Sequence, residues 1–363
     1  MNKYLIIFLL AMTSCELASK DNQNTNPALE SKNMADNTIE DIQKMNEAPI
    51  LFYNVENLFD TEDDPNNDGD DEFLPHGEKI WDAERYQDKL NKIAEAMLMA
   101  NGETPLFAGF AEIENHEVLE DLAMVKTLKN VNYKIVQYDS PDNRGIDVGC
   151  IYDPAKFKLI TSEKLPISIA QEPEYKMRDI LYVQGRVEEN IAIHIFVNHW
   201  SSRREGQDET AHRRIACAQV LKEKINKIRQ KDPRANIIVM GDFNDTPLDT
   251  SIKSTLGAKS RRDNLKSHDL VNLMYELEIE DRGTINFRGD WMTFDQMMVS
   301  FPLYEGSSGL KIIDRKATIV NNAALLYHFE NGDSKPNATF GGNQYYGGYS
   351  DHLPVYMVLK PAR

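Results

Sequence analysis

Carboxylate, amide and imidazole side chains in this 363-residue chain collect at the ends of short apolar runs. Such groups can hold a divalent cation, take a proton from water and stabilise charge on a phosphate. Buried charges are costly unless they are paired or bind an ion, so several such ends predict one convergent site. The clusters are Tyr53-Asn-Val-Glu-Asn57, Ala111-Glu-Ile-Glu-Asn115, Asn198-His-Trp200, Gly241-Asp-Phe-Asn-Asp245, Trp291-Met-Thr-Phe-Asp-Gln-Met-Met298 and Tyr349-Ser-Asp-His-Leu-Pro354.

The apolar runs that carry these clusters have the length and composition of strands buried between two layers. They are Ile50–Val55, Leu106–Ile113, Asp147–Tyr152, Ile191–Val197, Ile237–Met240, Phe294–Val299 and Pro354–Leu359. Helical periodicity occurs in 83–100 and 210–229, and the second segment predicts a surface helix with one buried stripe. The pattern predicts an α/β body in which helices lie outside a pair of packed sheets.

Together the six clusters resemble, in order, the motifs of the endonuclease/exonuclease/phosphatase superfamily, the deoxyribonuclease I-like proteins. The resemblance covers residues 49–363. It implies a four-layer α/β sandwich, with two packed mixed β-sheets flanked by helices. It also implies a metal-dependent phosphoric ester hydrolase that attacks phosphorus in line with water.

The resemblance implies a role for each motif residue. The metal-binding residues are Glu112, Asn54 as ligand or orienter, and Asp351 as a ligand directly or through water. The catalytic residues are Asp242 as candidate base, its neighbour Asn244, the phosphate-binding His199, and His352 oriented by Asp295. Glu56 matches a less secure position near the metal, and Arg144 and Arg178 are either phosphate contacts or solvated loop residues. Oxygen ligands without a Cys or His cluster favour Mg²⁺ or Mn²⁺ over Zn²⁺.

An acidic stretch at 60–82 departs from the compact family pattern. Asp64-Pro-Asn-Asn-Asp-Gly-Asp-Asp-Glu72 resembles the first half of a calcium loop, but Pro75 occupies the twelfth position, where the loop needs a bidentate Glu. We expect a solvated acidic loop, with a Ca²⁺ site at 64–72 or an active-site lid as the alternatives.

The charge balance bears on the substrate. Lys and Arg number 41 against 58 Asp and Glu, a net charge of −17, which argues against non-specific adhesion to nucleic acid. The first hypothesis is still an endonuclease that cleaves DNA or RNA, with phosphate contacts from the pairs Arg203-Arg204, Arg213-Arg214 and Arg261-Arg262. The alternatives are a phosphatase or phosphodiesterase for small or lipid phosphates, such as inositol phosphates or sphingomyelin head groups, and a catalytically inactive binding protein.

The N-terminal sequence predicts export. Lys3 and the apolar run Tyr4–Met12 are typical of a signal peptide, and Met12-Thr-Ser-Cys15 resembles a bacterial lipobox. We expect a signal peptide at 1–15, a lipid anchor on Cys15 as the protein's contact with the membrane, and a flexible tether at 16–48. The expected product is a monomer in the cell envelope, with Cys150 and Cys217 as buried thiols.

Overall fold

The computed structural model describes residues 43–65, 67–188 and 190–362. The predicted signal peptide, Cys15 and most of the predicted tether lie outside these ranges. The last tether residues are described, and they pack on the body: Met45 is 2% exposed, and the Gln43 amide donates to the Ala155 carbonyl. The packed body therefore begins before residue 48, the predicted end of the tether. Within the described ranges, no helix combines the length and apolar character that a membrane crossing requires.

The first sheet is mixed and runs in the order β14-β20-β1-β2-β4-β3, with β15 also paired to β20. Its strands are β1 (Ala48–Leu58), β2 (Phe107–Ile113), β3 (Lys134–Gln137), β4 (Asp147–Tyr152), β14 (Leu310–Ile312), β15 (Thr318–Ile319) and β20 (Val355–Pro361). The central strands β1 and β2 pair in parallel, and β20 lies antiparallel to β1. Both faces of β1 are buried, which explains why its sequence is apolar without alternation.

The second sheet is also mixed and runs in the order β5-β6-β7-β8-β13-β10-β9. Its strands are β5 (Phe157–Leu165), β6 (Ile180–Val187), β7 (Ile191–His199), β8 (Asn236–Asp242), β9 (Ala258–Ser260), β10 (Leu270–Asn272) and β13 (Asp295–Ser300). The stretch 251–282 supplies β9 and β10 at one edge of this sheet. It is therefore part of the sandwich.

Five α-helices and three two-stranded hairpins complete the described elements. The helices are α1 (Ala83–Leu98), α2 (His116–Met124), α3 (Ala211–Lys231), α4 (Tyr275–Ile279) and α5 (Phe301–Glu305). The hairpins are β11 (Ile285–Phe287) with β12 (Asp290–Met292), β16 (Leu326–His328) with β17 (Ser334–Pro336), and β18 (Phe340–Gly341) with β19 (Gln344–Tyr345). Short 3₁₀-helices and one π-helix, Ser251–Leu256, lie between them.

The two sheets pack face to face around one apolar core, with a second cluster between the second sheet and α3. Gly109 on β2 sets how closely the sheets approach. A Cβ atom there would lie 3.0 Å from the Val197 side chain and 3.2 Å from the Met240 sulfur. The fold is the predicted two-sheet α/β sandwich with helices on its outer faces, and every predicted strand is present.

Candidate active site

Strand register in the second sheet brings three of the predicted catalytic residues side by side. His199 at the end of β7 is in parallel register with Asp242 at the end of β8, and Asp242 is in antiparallel register with Asp295 at the start of β13. All three residues are buried. Residues far apart in sequence therefore share one sheet edge because the pairing of β7, β8 and β13 fixes them there.

The first sheet supplies the facing residues. Asn54 lies on β1, Glu112 lies beside it on β2, and Asp351 and His352 lie in the loop that enters β20. That loop is held by Ser350, whose hydroxyl donates to the Asn54 carbonyl at 2.7 Å and accepts from the His352 amide at 3.1 Å. Sequence reasoning assigned Ser350 no role, although it lies within the Ser-Asp-His motif.

His352 and Asp295 form a buried hydrogen-bonded pair. The His352 Nδ1 and an Asp295 carboxylate oxygen are 2.7 Å apart, and Asp295 is fully buried. Burial alone would lower the pKa of His352, but the charges of Asp295 and Asp242 and the hydrogen bond raise that pKa well above its usual value. His352 is therefore an imidazolium at neutral pH, with its Nε2–H directed away from Asp295.

Asp242 accepts hydrogen bonds from two donors and can still take up a proton. The Asn54 amide donates to Oδ2 at 3.0 Å, and the Asn244 backbone amide donates to Oδ1 at 2.9 Å. Burial raises the pKa of Asp242 to about 6, against the lowering effect of His352. A carboxylate with a pKa near neutrality is suited to act as a general base.

The side chain of Asn244 reaches the site from a turn and not from the extended strand that its sequence position predicts. Its spacing from Asp242 predicts two side chains on one face of an extended strand. However, β8 ends at Asp242 and Asn244 is left-handed, with a φ of 49°. The turn folds Asn244 back, so that its side-chain amide lies 3.4 Å from Asp242 and 3.1 Å from the Trp200 carbonyl.

Glu112 presents an ionised carboxylate from a strained position. Its φ of 62° is unusual for a residue with a side chain, and it lies at an irregularity in the pairing of β1 and β2 with β4. Burial would raise the pKa of Glu112, but Arg144, His352 and other cationic neighbours lower it below the ordinary value. Arg144 lies 3.6 Å from this carboxylate, and it also donates to the Asn57 side chain at 2.7 Å.

His199 is neutral in this arrangement. Burial lowers its pKa well below the usual value, and Arg178, Arg144 and His352 lower it further. Its Nε2 lies 3.6 Å from an Asp242 oxygen and 3.8 Å from a Glu112 oxygen. The His352 Nε2 is 3.9 Å from Asp242, and all three distances exceed a normal hydrogen bond. Both imidazoles can therefore turn an N–H toward a substrate oxygen.

Arg178, a candidate phosphate contact, and Glu56, a candidate residue near the metal, both hold backbone segments around the site in place. Arg178 is 8% exposed and donates to the carbonyls of His199 and Trp200. Glu56 accepts the backbone amides of Thr339 and Phe340 and so ties down the loop after β17. Both sets of contacts fix backbone around the site, and the charge of Arg178 also helps to lower the pKa of Glu112.

Sequence reasoning overlooked Lys89 on α1. It is 1% exposed and donates to the Thr339 hydroxyl and, at 2.8 Å, to the Tyr349 carbonyl. Burial lowers the pKa of Lys89 to about 8, and the negative charges of Glu56 and Asp351 oppose this fall. A lysine within the apolar stripe of an amphipathic helix, next to Leu90 and four residues before Ile93, is the sequence signal that could have found it.

The donor set fits a hard divalent cation beside Glu112. An ionised glutamate and the half-exposed Asp351 provide anionic oxygens, which are the ligands that Mg²⁺ and Mn²⁺ prefer. Atoms of Asp242, Asp295 and His352 also lie within 4.8 Å of one another. The imidazolium of His352, however, has no lone pair for a metal on either nitrogen. Asn54 uses its amide on Asp242 and its carbonyl oxygen on the Glu56 amide, so it orients the base in this arrangement.

The acidic stretch 60–82 is anchored on the body by buried aromatic residues, while most of its acidic side chains are exposed to solvent. Phe73 and Trp81 are buried with Phe59 in an aromatic cluster, and the Trp81 indole donates to the Phe59 carbonyl at 2.9 Å. Two clefts flank this segment, with volumes of about 490 Å³ and 1100 Å³. The first is lined by Asn57 and Arg144, which both contact Glu112.

The walls of both clefts are acidic. The acidic residues that line them are Asp60, Glu62, Asp63, Asp64, Asp68, Asp71, Glu72, Glu78, Glu114, Glu117, Asp139, Asp142 and Asp147. The cationic lining residues are Arg144 in the first cleft and Lys176 in the second. These walls repel a long polyanion that approaches from this side.

Most of the paired arginines predicted to contact phosphate form ion pairs with other residues of the protein. Arg214 is fully buried with Asp245, and Arg203 is bound by Asp245 and Asp249. Arg213 is paired with Glu172 and Glu205, and Arg261 lies 3.1 Å from Glu276. Arg204 differs, because it is exposed and close enough to Glu112 to lower that residue's pKa. Arg204 and Arg144 are thus two solvent-accessible cations near Glu112.

Residues 49–361 match the sequence model of the Endonuclease/Exonuclease/phosphatase family. The chain belongs to this family. No curated protein sequence matches it.

Several solved structures share this fold. The human Nocturnin catalytic domain with bound sulfate aligns over 88% of this chain and 96% of its own, at 15% identity and a TM-score of 0.52. A humanised D. rerio TDP2 aligns over 86% and 98%, at 15% identity and 0.50. The Bacteroides thetaiotaomicron mannosyl-6-phosphatase Bt3783 aligns over 86% and 99%, at 15% identity and 0.52. Family membership makes the chain a phosphoric ester hydrolase of a typically divalent-metal-dependent class.

Proposed function

We propose that this protein is a divalent-metal-dependent hydrolase of small phosphate esters, in which Asp242 is the base. The observation that carries the proposal is the buried Asp295–His352–Asp242 group, in which an imidazolium and a carboxylate of raised pKa face the same space. An acid and a base of this kind are needed to activate water and to stabilise the charge that develops at phosphorus.

The proposed role of each catalytic residue follows from its protonation state. Asp242, positioned by Asn54 and the Asn244 amide, takes the proton from the attacking water. His352 and the neutral His199 donate N–H groups to phosphate oxygens, and Arg144 and Arg204 supply positive charge at the entrance. A cation held by Glu112 and Asp351, which we propose to be Mg²⁺ or Mn²⁺, would neutralise charge on the phosphate and the leaving oxygen when bound.

The acidic clefts favour a small ester over a polymer. A short substrate can present its phosphate to the site and place an uncharged or cationic alcohol against the acidic walls. A nucleic acid strand would bring further phosphates toward the same walls, at a Coulombic cost. The fold accommodates small esters elsewhere, since one structural neighbour is named a mannosyl-6-phosphatase.

The endonuclease is the second candidate, and exposed Arg204 favours it. Arg204 is a cation near Glu112 for which the described residues show no ion-pair partner, so it is free to contact the phosphate next to a scissile bond. The two candidates differ in the length of substrate that the enzyme prefers, and that difference can be measured.

The test compares both substrates in one experiment. Release of phosphate or alcohol from a panel of small phosphomonoesters and phosphodiesters is measured beside nicking of supercoiled plasmid, with Mg²⁺ and with EDTA. We expect metal-dependent turnover of a small ester, and a rate that falls roughly 10²- to 10⁴-fold in Asp242→Asn.

Asp208→Asn, the same change at an exposed residue, should keep the wild-type rate. Preferential plasmid nicking would replace the small-ester proposal with the endonuclease. Activity that survives EDTA would contradict the metal assignment.

We also propose that the protein is exported and anchored by a lipid on Cys15. The support is the sequence alone: a basic residue, the apolar run Tyr4–Met12 and the lipobox-like Met12-Thr-Ser-Cys15. An anchored enzyme of this kind would act on phosphate esters outside the cytoplasm.

A further inference from the structure

The docked acidic stretch contains a carboxylate cluster apart from the catalytic residues. Oxygens of Asp63, Asp70 and Asp71 all lie within 4.8 Å of one another. Asp63 and Asp71 are exposed, whereas Asp70 is 1% exposed. Three like charges at this spacing repel one another unless a cation or a proton lies among them.

Asp70 carries a buried oxygen without a donor. Its Oδ2 accepts the Asp64 amide at 2.8 Å, but its Oδ1 is buried and no described residue donates to it. A buried carboxylate oxygen left unpaired costs free energy, and native structures rarely keep one without a ligand. Burial also raises the pKa of Asp70, and the charges of Asp63 and Asp71 add to the rise.

We propose that Asp63, Asp70 and Asp71 bind one Ca²⁺ ion. Hard oxygen ligands suit Ca²⁺, and an irregular loop with exposed carboxylates meets its flexible coordination better than the strict octahedron of Mg²⁺. Two of the ligands, Asp70 and Asp71, lie within the calcium-loop resemblance at 64–72, whereas Asp63 precedes it. Waters would complete the coordination shell.

The bound ion would fix the docked stretch against the loop that carries Arg144. A Cβ atom on Gly69 would lie 2.5 Å from the Arg144 backbone, and one on Gly145 would overlap the Asn67 side chain. Arg144 in turn contacts Asn57 and lies near Glu112. The Ca²⁺ site is therefore structural, and it supports the cleft wall next to the catalytic residues without belonging to them.

Calorimetric titration with Ca²⁺ in excess Mg²⁺ tests the site in the full chain. We expect the wild type to bind one equivalent, and Asp63→Asn and Asp70→Asn to weaken binding roughly tenfold or more, because each removes a ligand charge. Bound Ca²⁺ should also slow proteolysis within 60–82. Asp63 is exposed, so its substitution tests the site even if Asp70→Asn fails to fold.

Two further variants separate this site from its surroundings. Asp68→Asn removes the same charge from the same stretch outside the cluster, and Asp351→Asn removes a candidate ligand of the catalytic metal. Both should bind Ca²⁺ within about twofold of the wild type. No Ca²⁺ binding by the folded wild type, or an equal loss in Asp68→Asn, would overturn the proposal. Loss in Asp351→Asn alone would assign the ion to the catalytic centre.

Discussion

Asp295 determines what His352 can do in this site. The fully buried carboxylate lies 2.7 Å from the His352 Nδ1 and holds the ring in its charged form. An imidazolium cannot take a proton from water, so the base must be another group, and Asp242 has the pKa for it. The sequence motifs predict the same residues, but they do not reveal this division of labour, which depends on burial and on distances across two sheets.

Asp295→Asn should lower the rate and move its pH dependence. For the wild type we expect activity to rise as pH increases through about 6, where Asp242 ionises, and to fall where His352 loses its proton. Without the Asp295 charge the pKa of His352 drops, so the alkaline limb shifts to lower pH. The rate at neutral pH should fall roughly 10²-fold or more.

A pH–rate profile of both proteins provides the measurement for this prediction. A lowered rate with an unshifted alkaline limb would mean that Asp295 only supports the fold. The acid limb should be present in both proteins because Asp242 is unchanged, but it should lie at lower pH in the variant, because the Asp295 charge contributes to the raised pKa of Asp242.

The strands and the two long helices follow directly from hydrophobic pattern. Runs such as 191–197 and 237–240 are apolar on both faces, and only a doubly covered strand satisfies that composition. Strand register, in contrast, sets His199 beside Asp242, and it depends on long-range pairing that no local pattern encodes. The edge strands β9 and β10 have three residues each, too short for periodicity to identify.

A charged side chain on helix α1 and another on strand β1 both bind the loop at Thr339. Lys89 on α1 and Glu56 on β1 both bind Thr339, and each alters the pKa of the other. Burial raises the pKa of Glu56 to about 7, and Lys89 counters that rise. Removal of one partner leaves the other buried and uncompensated, which typically costs several kcal/mol.

Lys89→Met should therefore destabilise the protein by about 3 kcal/mol, measured by urea unfolding. Combining it with Glu56→Gln should recover at least about 1 kcal/mol, since the double variant leaves no unpaired charge. Lys92→Met, which removes a partly exposed lysine from the same helix, should cost less than about 1 kcal/mol. Additive losses in the double variant would show that Lys89 and Glu56 are not coupled.

At the scale of the whole chain, negative charge is distributed unevenly. The net charge is −17, and the acidic residues that line the two clefts concentrate it on one side of the catalytic residues. Composition predicts the sign of the surface, but only the fold shows that Arg203, Arg213 and Arg214 form ion pairs within the protein while Arg204 stays exposed. Substrate choice is thus a property of the assembled surface and not of any motif.

The proposed anchor gives a prediction for the intact protein. Expressed in a bacterium with a lipoprotein pathway, the wild type should fractionate with membranes and carry a lipid mass on the N-terminal peptide. Cys15→Ser should lose both properties, while the folded body keeps its melting temperature. A wild type without any lipid mass would contradict the anchor, and the catalytic proposal would be unaffected.

The two buried cysteines can report on transient opening of the folded protein. Cys150 lies on β4 and Cys217 on α3, and both are free thiols with almost no exposed surface. Burial raises the pKa of Cys217 to about 12 and also raises that of Cys150, so neither reacts as a thiolate while the protein is folded. Once Cys15 is acylated or replaced, the rate of thiol labelling measures transient unfolding. Cys150 reports on the first sheet, and Cys217 reports on the helix layer over the second.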